Sequence, residues 1–353
     1  MKRQRVLHLD SGLTWRGGQR QVLLLALGLR NRGHEPLLIG APDSPLVKRA
    51  QAEGLAVAAI PMVADWDLRA ARRIRARIRA WRADVIHAHD ARSHALALLA
   101  VLGSRTPLVV TRRVTFPPKS VGLKYGERVN KFIAISNAVR DAMISRGIAS
   151  DRIQVIHSGV ALPSPDVIPR DWRSELGWPR ESVIAGVVGA MTAEKGVDSL
   201  EAIAAAMPAE TRGTTRFLLL GGSRRGPAEI GGVQSHFAGF VEAIEPATAG
   251  IDILLHPSRT EGLGTSVIDA MALGVPPVAF TVGGLPEVVE NNASGLLVPA
   301  GDIRAFADAA RRLIEDVALL GKLGHSAMAR SREFGSDRMT EQTEMVYQGV
   351  ISG

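Results

Sequence analysis

The chain of 353 residues contains no cysteine. That excludes disulfide frameworks, cysteine-ligated zinc and thiol nucleophiles, and it fits a reducing compartment. Aromatic residues contribute only 4% of the chain, and with no binding motif in view no nucleic-acid partner is expected. No apolar run approaches the roughly 20 residues needed to cross a bilayer. The longest, 22–29 and 95–102, are helix-sized and flanked by charge. The N-terminus MKRQRVLHLD starts basic, but His8 and Asp10 interrupt the apolar stretch at once. It reads as a first β-strand rather than a signal peptide, and the chain is expected to be cytoplasmic.

What is present is ordinary globular composition, 46% hydrophobic and 22% charged. The length suggests two domains of roughly 150–200 residues each. A net charge of +8 with abundant arginine suggests anionic partners such as phosphates or acidic lipids. Short β-branched runs alternate with helix-length amphipathic stretches, which predicts parallel sheets with crossover helices. In the first half, strands are expected at 6–9, 36–39, 56–60, 84–88, 108–111, 132–136 and 153–156. A glycine-bearing loop, 11–18, and a helix, 19–32, follow the first strand, with Gly33 suited to a left-handed helix end. The proline-bearing stretch ALPSPDVIPR reads as a linker, after which strands are expected at 183–188, 217–220, 251–255, 278–280 and 295–298. The last ~50 residues read as helical.

The most informative segment is HPSRTEGLGTSVIDAMALGVPPVAF, residues 256–280. A strand ends near Leu255, a loop carries Glu261, Gly262 and Gly264, and a helix starts near Thr265. A helix N-terminus preceded by small residues offers backbone N–H groups and a positive dipole end, a ready site for a pyrophosphate. Glu261 can accept hydrogen bonds from sugar hydroxyls, and Asp269, leaning toward the helix start, can flank the same ligand. Alternatively, both carboxylates simply favour the helix N-terminal half electrostatically.

Other features have plainer readings. Asp65-Trp66-Asp67 resembles a metal-binding Asp–x–Asp motif, but it precedes a helix, where aspartate caps, and no metal is expected. GGSRRG, residues 221–226, follows a strand without the spacing of a dinucleotide fingerprint. His87 and His89 share a strand face without an evident third ligand. In the stretch 68–84, Ala70, Ile74, Ile78 and Trp81 share one face and arginines fill the rest. A crossover helix is the expected structure, and its exposed arginines can attract anionic head groups at about 1 kcal/mol each.

The segment HPSRTEGLGTSVIDAMALGVPPVAFTVGGLPEVVENNASGLLVPAGD resembles the donor-binding signature of the retaining glycosyltransferases of family 4, which have the GT-B fold. WRGGQRQVLLLALGLRNRGHE resembles that family's Gly-Gly loop and first helix, VIHAHD its strand-end histidine, KFIAISNAVRDAMISRGI its strand–helix before the linker, and VVGAMTAEKGVDSLEAI its segment around a catalytic lysine. The family's second glutamate is Asp269 here, and its usual arginine falls at Ala190.

The resemblance implies an α/β GT-B architecture of two Rossmann-like domains facing each other across a cleft. It implies an acceptor-binding domain over 1–160, a linker over 161–180, a nucleotide-sugar-binding domain over 181–335, and a C-terminal helix, 336–353, packing back toward the first domain. Glu261, His89 and Lys195 are the implied catalytic residues: Glu261 orients the sugar, His89 lies near its hydroxymethyl group, and Lys195 stabilises the diphosphate. Gly17, Gly18, Gly262, Leu263, Gly264, Thr265, Ser266 and Asp269 are implied to bind the donor. Arg112 and Arg113, opening the variable loop 112–123, are assigned to the acceptor. The implied reaction is metal-independent, retaining transfer from a nucleotide sugar to a hydroxyl of a glycan or lipid-linked, lipopolysaccharide-type acceptor. A UDP-sugar is the expected donor, ahead of ADP- or GDP-sugars, with no further cofactor. Peripheral contact with the anionic inner membrane face is compatible with the charge. A nucleotide-sugar epimerase of the same fold, or a non-enzymatic membrane-associated relative, are the alternatives.

Overall fold

A computed structural model of the protein describes residues 3–119, 121–164 and 166–352. Ser120 of the loop 112–123 and Pro165 of the 161–180 segment lie outside the described residues. The chain divides into two compact units, Met1–Val160 with Gly335–Gly353, and Ala161–Phe334.

Unit 1 is built on seven strands: β1 (Arg5–Asp10), β2 (Glu35–Gly40), β3 (Ala56–Ala59), β4 (Val85–Ala88), β5 (Leu108–Arg112), β6 (Lys131–Ala134) and β7 (Ile153–Val155). They pair in the order β3-β2-β1-β4-β5-β6-β7, all parallel. Parallel strands covered on both faces need continuous apolar runs, which is what VLHL and LVV supply. The order reverses between β1 and β4, so the crevice beyond their carboxyl ends is where an open α/β sheet receives ligands.

The first helix, Gly17–Asn31, buries Val22, Leu25, Ala26 and Leu29, one stripe at helical spacing. It starts earlier than expected, so Gly17 and Gly18 form its first turn instead of belonging to the loop. Gly33 follows it at φ +86°, as its position after the helix suggests. The C-terminal helix Ser336–Ser352 lies against this unit, placing Met339 and Tyr347 in a core with Val6, Leu25, Leu29 and Val85. The two helices cross closely: a Cβ on Gly28 would lie 2.3 Å from Thr340 Oγ1. Glu344, buried, accepts from Arg32 Nε at 2.6 Å and sits 3.1 Å from His34 Nε2. The arginine-rich helix Leu68–Trp81 is capped by Asp67, whose carboxylate accepts from the amides of Arg69 and Ala70. It buries Ala70, Ala71, Ile74 and Ile78, while Asp65 is held by Lys124 at 2.7 Å. The Asp–x–Asp triplet is therefore structural.

Unit 2 has six strands: β8 (Val183–Val188), β9 (Thr215–Ile230), β10 (Val233–Gly239), β11 (Ile253–His256), β12 (Pro277–Phe280) and β13 (Leu296–Val298). Their order is β10-β9-β8-β11-β12-β13, parallel except for the β9–β10 hairpin at one edge. That hairpin departs from the expected all-parallel sheet. GGSRRG runs inside β9 rather than ending it, and Gly231 and Gly232 turn the chain with φ of +57° and +80°, the two-residue geometry a glycine pair permits. The proline-bearing segment also carries structure of its own: Trp172–Leu176 is a short helix, with Trp172 buried and its Nε1 donating to Ala247 O at 2.9 Å. The sheet core gathers Leu219, Ile253, Val278, Phe280, Phe306 and Leu313. No helix among the described residues is long and apolar enough to cross a membrane.

Candidate active site

In unit 2 the strand order reverses between β8 and β11, and the loops leaving these two strands carry the chemistry. After β8 the chain makes two 3₁₀ turns, Ala193–Lys195 and Val197–Ser199, before the helix Leu200–Ala206. Lys195 thus closes the first of these turns and lies outside the helix. Between the two turns, Gly196 adopts φ +68°, and a Cβ there would lie 1.8 Å from Pro257 O. Only glycine allows this approach, which seats the lysine loop against the exit of β11.

The approach brings Lys195 Nζ to 2.6 Å from Glu261 Oε2. The same oxygen lies 3.1 Å from His256 Nε2, and Ser258 Oγ lies 3.0 Å from that nitrogen. Glu261 is clamped from behind by Gly283 at φ +54°, where a Cβ would fall 1.7 Å from Glu261 O. Burial alone would push the Glu261 carboxyl up. The hydrogen bond from His256 and the Lys195 charge outweigh it and hold the group at about 2. Burial likewise keeps His256 below the ordinary histidine value, so its neutral ring donates through Nε2.

Immediately beyond stands the helix Thr265–Ala272, whose N-cap Gly264 takes φ +97° and, being glycine, brings no capping side chain of its own. Its first-turn dipole end is thus left to backbone and ligand. Gly262, Thr265 and Ser266 are half-buried, Leu263 is buried and packs inward, and Asp269 is half-buried on the same helix. Ala190, where the family has arginine, is exposed just after β8.

In unit 1 the β1–β4 reversal carries a second cluster. Asp90 caps the helix Ala91–Ala100 and accepts both the amide and the hydroxyl of Ser11, each at 2.7 Å, tying the β1 exit to the β4 exit. Asp10 accepts from Gly12 N at 2.9 Å and Gln19 Nε2 at 3.1 Å. Burial, and then the neighbouring Asp90 charge, push Asp10 up. His8, His87 and His89 are all buried, and the His87 and His89 rings are 4.0 Å apart. His87 is fully engaged, with Nδ1 2.6 Å from Tyr347 OH and Nε2 2.7 Å from Thr111 Oγ1. The three rings offer nitrogens within 4.8 Å of one another, but both His87 nitrogens are taken by hydroxyls and, among the described residues, no carboxylate joins the group.

The two arginines expected at the acceptor differ. Arg112 is committed to Tyr125 OH at 2.8 Å and to Phe116 O. Arg113 instead turns to His89, its Nη2 3.3 Å from His89 Nδ1. Desolvation lowers Arg113 to about 10, against the opposing pull of Asp10 and Asp90. Gly18 borders Arg113, with 3.7 Å between an added Cβ and Arg113 Cδ.

Sequence reading did not find His8, His256 or Tyr347. His256 carried a usable signal, being the last residue of a strand five positions before Glu261. His8 and Tyr347 carried none, because their partners are 81 and 260 residues away.

Comparisons with known proteins agree with this organisation. Residues 15–162 match the family described as Glycosyltransferase Family 4, and residues 182–316 match Glycosyl transferases group 1. The D-inositol 3-phosphate glycosyltransferase of Xylanimonas cellulosilytica is 29% identical over 301 residues, 75% of this chain and 71% of that protein. The 2-deoxystreptamine N-acetyl-D-glucosaminyltransferase of Streptomyces fradiae is 27% identical and covers 90% of each chain. Among solved structures, Anabaena HepE in complex with UDP-glucose superposes with a TM-score of 0.85 at 22% identity, covering 98% of this chain and all of that one. One family match falls on each unit. The chain belongs to glycosyltransferase family 4 and is a GT-B glycosyltransferase.

Proposed function

We propose that the protein transfers a sugar from a UDP-sugar to an acceptor hydroxyl with retention of anomeric configuration. The observation that carries the proposal is the Lys195–Glu261–His256 cluster beside the glycine-capped start of Thr265–Ala272 at the β8–β11 reversal. Solved relatives hold UDP and UDP-glucose, which supports a uridine donor.

In this reading the diphosphate sits on the helix start near Gly264, Thr265 and Ser266, and Lys195 adds a full positive charge. In the structure that charge is paired with Glu261. A diphosphate shares it, and Glu261, still ionised, is released to accept hydrogen bonds from sugar hydroxyls. Asp269 accepts from the ribose. For unit 1, Gly17, Gly18 and His89 keep the donor role, and Arg113 the acceptor role, that the family resemblance implies for them.

In the reaction the bond between the sugar C1 and the phosphate oxygen breaks, and a bond from C1 to the acceptor oxygen forms on the same face. The acceptor proton passes to the departing phosphate, so no separate side-chain base is required. Lys195 and the helix dipole act where negative charge develops, on the leaving diphosphate.

The acceptor is a polyhydroxylated molecule. The relatives' names, for an inositol phosphate and an aminocyclitol, widen the choice beyond the lipid-linked glycan that the sequence suggests. Incubating the protein with UDP-, ADP- and GDP-sugars against a panel of polyol, aminocyclitol and lipid-linked glycan acceptors tests this. Product with an inverted anomeric centre, or turnover only with a non-uridine donor, would overturn the corresponding part of the proposal.

A further inference from the structure

His8 lies in the middle of β1, fully buried, opposite His87 of β4 in the sheet register. Its Nδ1 is 3.0 Å from His89 Nε2, and the two rings stack with centroids 5.3 Å apart. One of these two nitrogens must carry the proton, and the surroundings decide which. The other nitrogen of His89, Nδ1, faces Arg113 Nη2 at 3.3 Å. A guanidinium has donors and no acceptor, so His89 Nδ1 must be the acceptor. Burial beside the Arg113 cation, and beside the other two rings, keeps His89 neutral. Its single proton is therefore on Nε2, donated to His8 Nδ1, and the proton of His8 is on its own Nε2.

We infer that His8 is a positioning residue of the transferase site: it fixes the tautomer and tilt of His89, so that His89 presents the Nδ1 lone pair as an acceptor for a donor-sugar hydroxyl. Arg113 holds that lone pair until a hydroxyl shares it. The inference rests on the reading of His89 as a donor contact. A purely structural residue would be cheaper here. His8 Nε2 is buried without a partner among the described residues, an unmet donor that an apolar side chain of similar volume would not carry. A cation bridging the three histidines fits less well, since His87 is saturated by Tyr347 and Thr111 and Arg113 adds positive charge nearby.

Histidine-selective ¹⁵N labelling of the full chain reads the tautomers directly, without any substitution. The expected spectrum shows His89 and His8 both protonated on Nε2 and unchanged by added zinc. A His89 protonated on Nδ1, or resonances shifted by stoichiometric zinc, overturns the inference. Two variants add the functional side. H8F fills the ring volume and removes the acceptor, and kcat is expected to fall about tenfold or more. H8N, whose side-chain carbonyl can stand in for Nδ1, is expected to keep the Nε2 tautomer of His89 and most of kcat. Wild-type kcat in a folded H8F protein overturns the inference. Wild-type turnover by H89A would instead sink the reading of His89 as a donor contact, whatever the tautomers, so the two failures are distinguishable.

Discussion

Lys195 Nζ and Glu261 Oε2 stand 2.6 Å apart, with the carboxylate side chain 13% exposed and the lysine 29%. Two charges brought this close beyond the carboxyl ends of the central strands β8 and β11 are held by backbone, not by the attraction alone. Gly196 admits the lysine loop to the β11 exit, and Gly283 clamps Glu261 from behind. The pair is thus set before a ligand arrives, which is what electrostatic catalysis requires of its charges.

Removing Lys195 tests its half of the pair. K195A is expected to lower kcat/KM by roughly 10²–10³-fold, the usual loss when one charge-stabilising donor is deleted. Circular dichroism and the melting temperature should change little, because the lysine is partly exposed. A kcat/KM within threefold of wild type would remove Lys195 from the mechanism.

His256 is expected to act through Glu261. Replacing it with leucine deletes the Nε2 donor and leaves the carboxylate with lysine alone. UDP-sugar affinity should weaken by about tenfold, as for the loss of a hydrogen bond to a charged group. UDP affinity should stay within about twofold, because Glu261 is assigned to the sugar. Equal losses for both ligands would mean that His256 supports the fold of the loop rather than the sugar contact.

Two glycines should respond in opposite ways. Gly196→Ala forces a left-handed alanine whose Cβ lies 1.8 Å from Pro257 O, and a stability loss above about 2 kcal/mol is expected by urea titration. Gly18→Ala meets nothing nearer than 3.7 Å and sits inside a helix, so stability should be unchanged or higher by about 0.5–1 kcal/mol. Activity should nevertheless fall, because the added methyl stands against Arg113, the residue assigned to the acceptor. Full activity in Gly18→Ala would remove the Gly17–Gly18 turn from the donor site.

Unit 1 should lose stability early in acid. Burial lowers His8 to about 3 and His94 to about 4, and His87 and His89 fall well below the ordinary value, first through burial and then through neighbouring positive charge. Unfolded, each of these rings binds a proton below about pH 6.5. The unfolded state therefore holds more protons, and stability declines as pH drops below 6.5, by at least about 1.4 kcal/mol per pH unit between pH 6 and 5. Glu261 acts with the same sign in a lower window: its contribution is present above about pH 4.5 and is lost as the pH falls from there toward 2. Hydrogen exchange of the β1 and β4 amides at pH 7, 6 and 5 measures the effect, and equal protection at all three would contradict it.

What could be read in the sequence was local. The alternation of apolar strands with amphipathic helices, the aspartate cap of Leu68–Trp81 and the loop carrying Glu261 each depend on neighbours a few residues away. The β9–β10 hairpin was as local, and Gly231-Gly232 was its signal, but the glycines of GGSRRG pointed to a strand end that does not occur. Gly221 is needed inside the strand instead, where a Cβ would lie 2.0 Å from Gly189 O. The histidine cluster was out of reach because strand order, not sequence distance, pairs β1 with β4. Arg112 and Arg113 could not be told apart either. Which one turns to Tyr125 and which to His89 follows from the alternation of side chains at the end of β5.

In the proposed donor site Glu261 reads the sugar while the helix start and Lys195 hold the diphosphate. Calorimetric titration of UDP and of UDP-glucose into wild-type and E261A protein tests it most directly. Wild type is expected to bind both. E261A should retain UDP within about threefold and lose UDP-glucose affinity by about tenfold or more, with the melting temperature of the ligand-free protein little changed. Equal affinity of E261A and wild type for UDP-glucose would contradict the sugar role of Glu261, and failure of the wild type to bind UDP would contradict a uridine donor site.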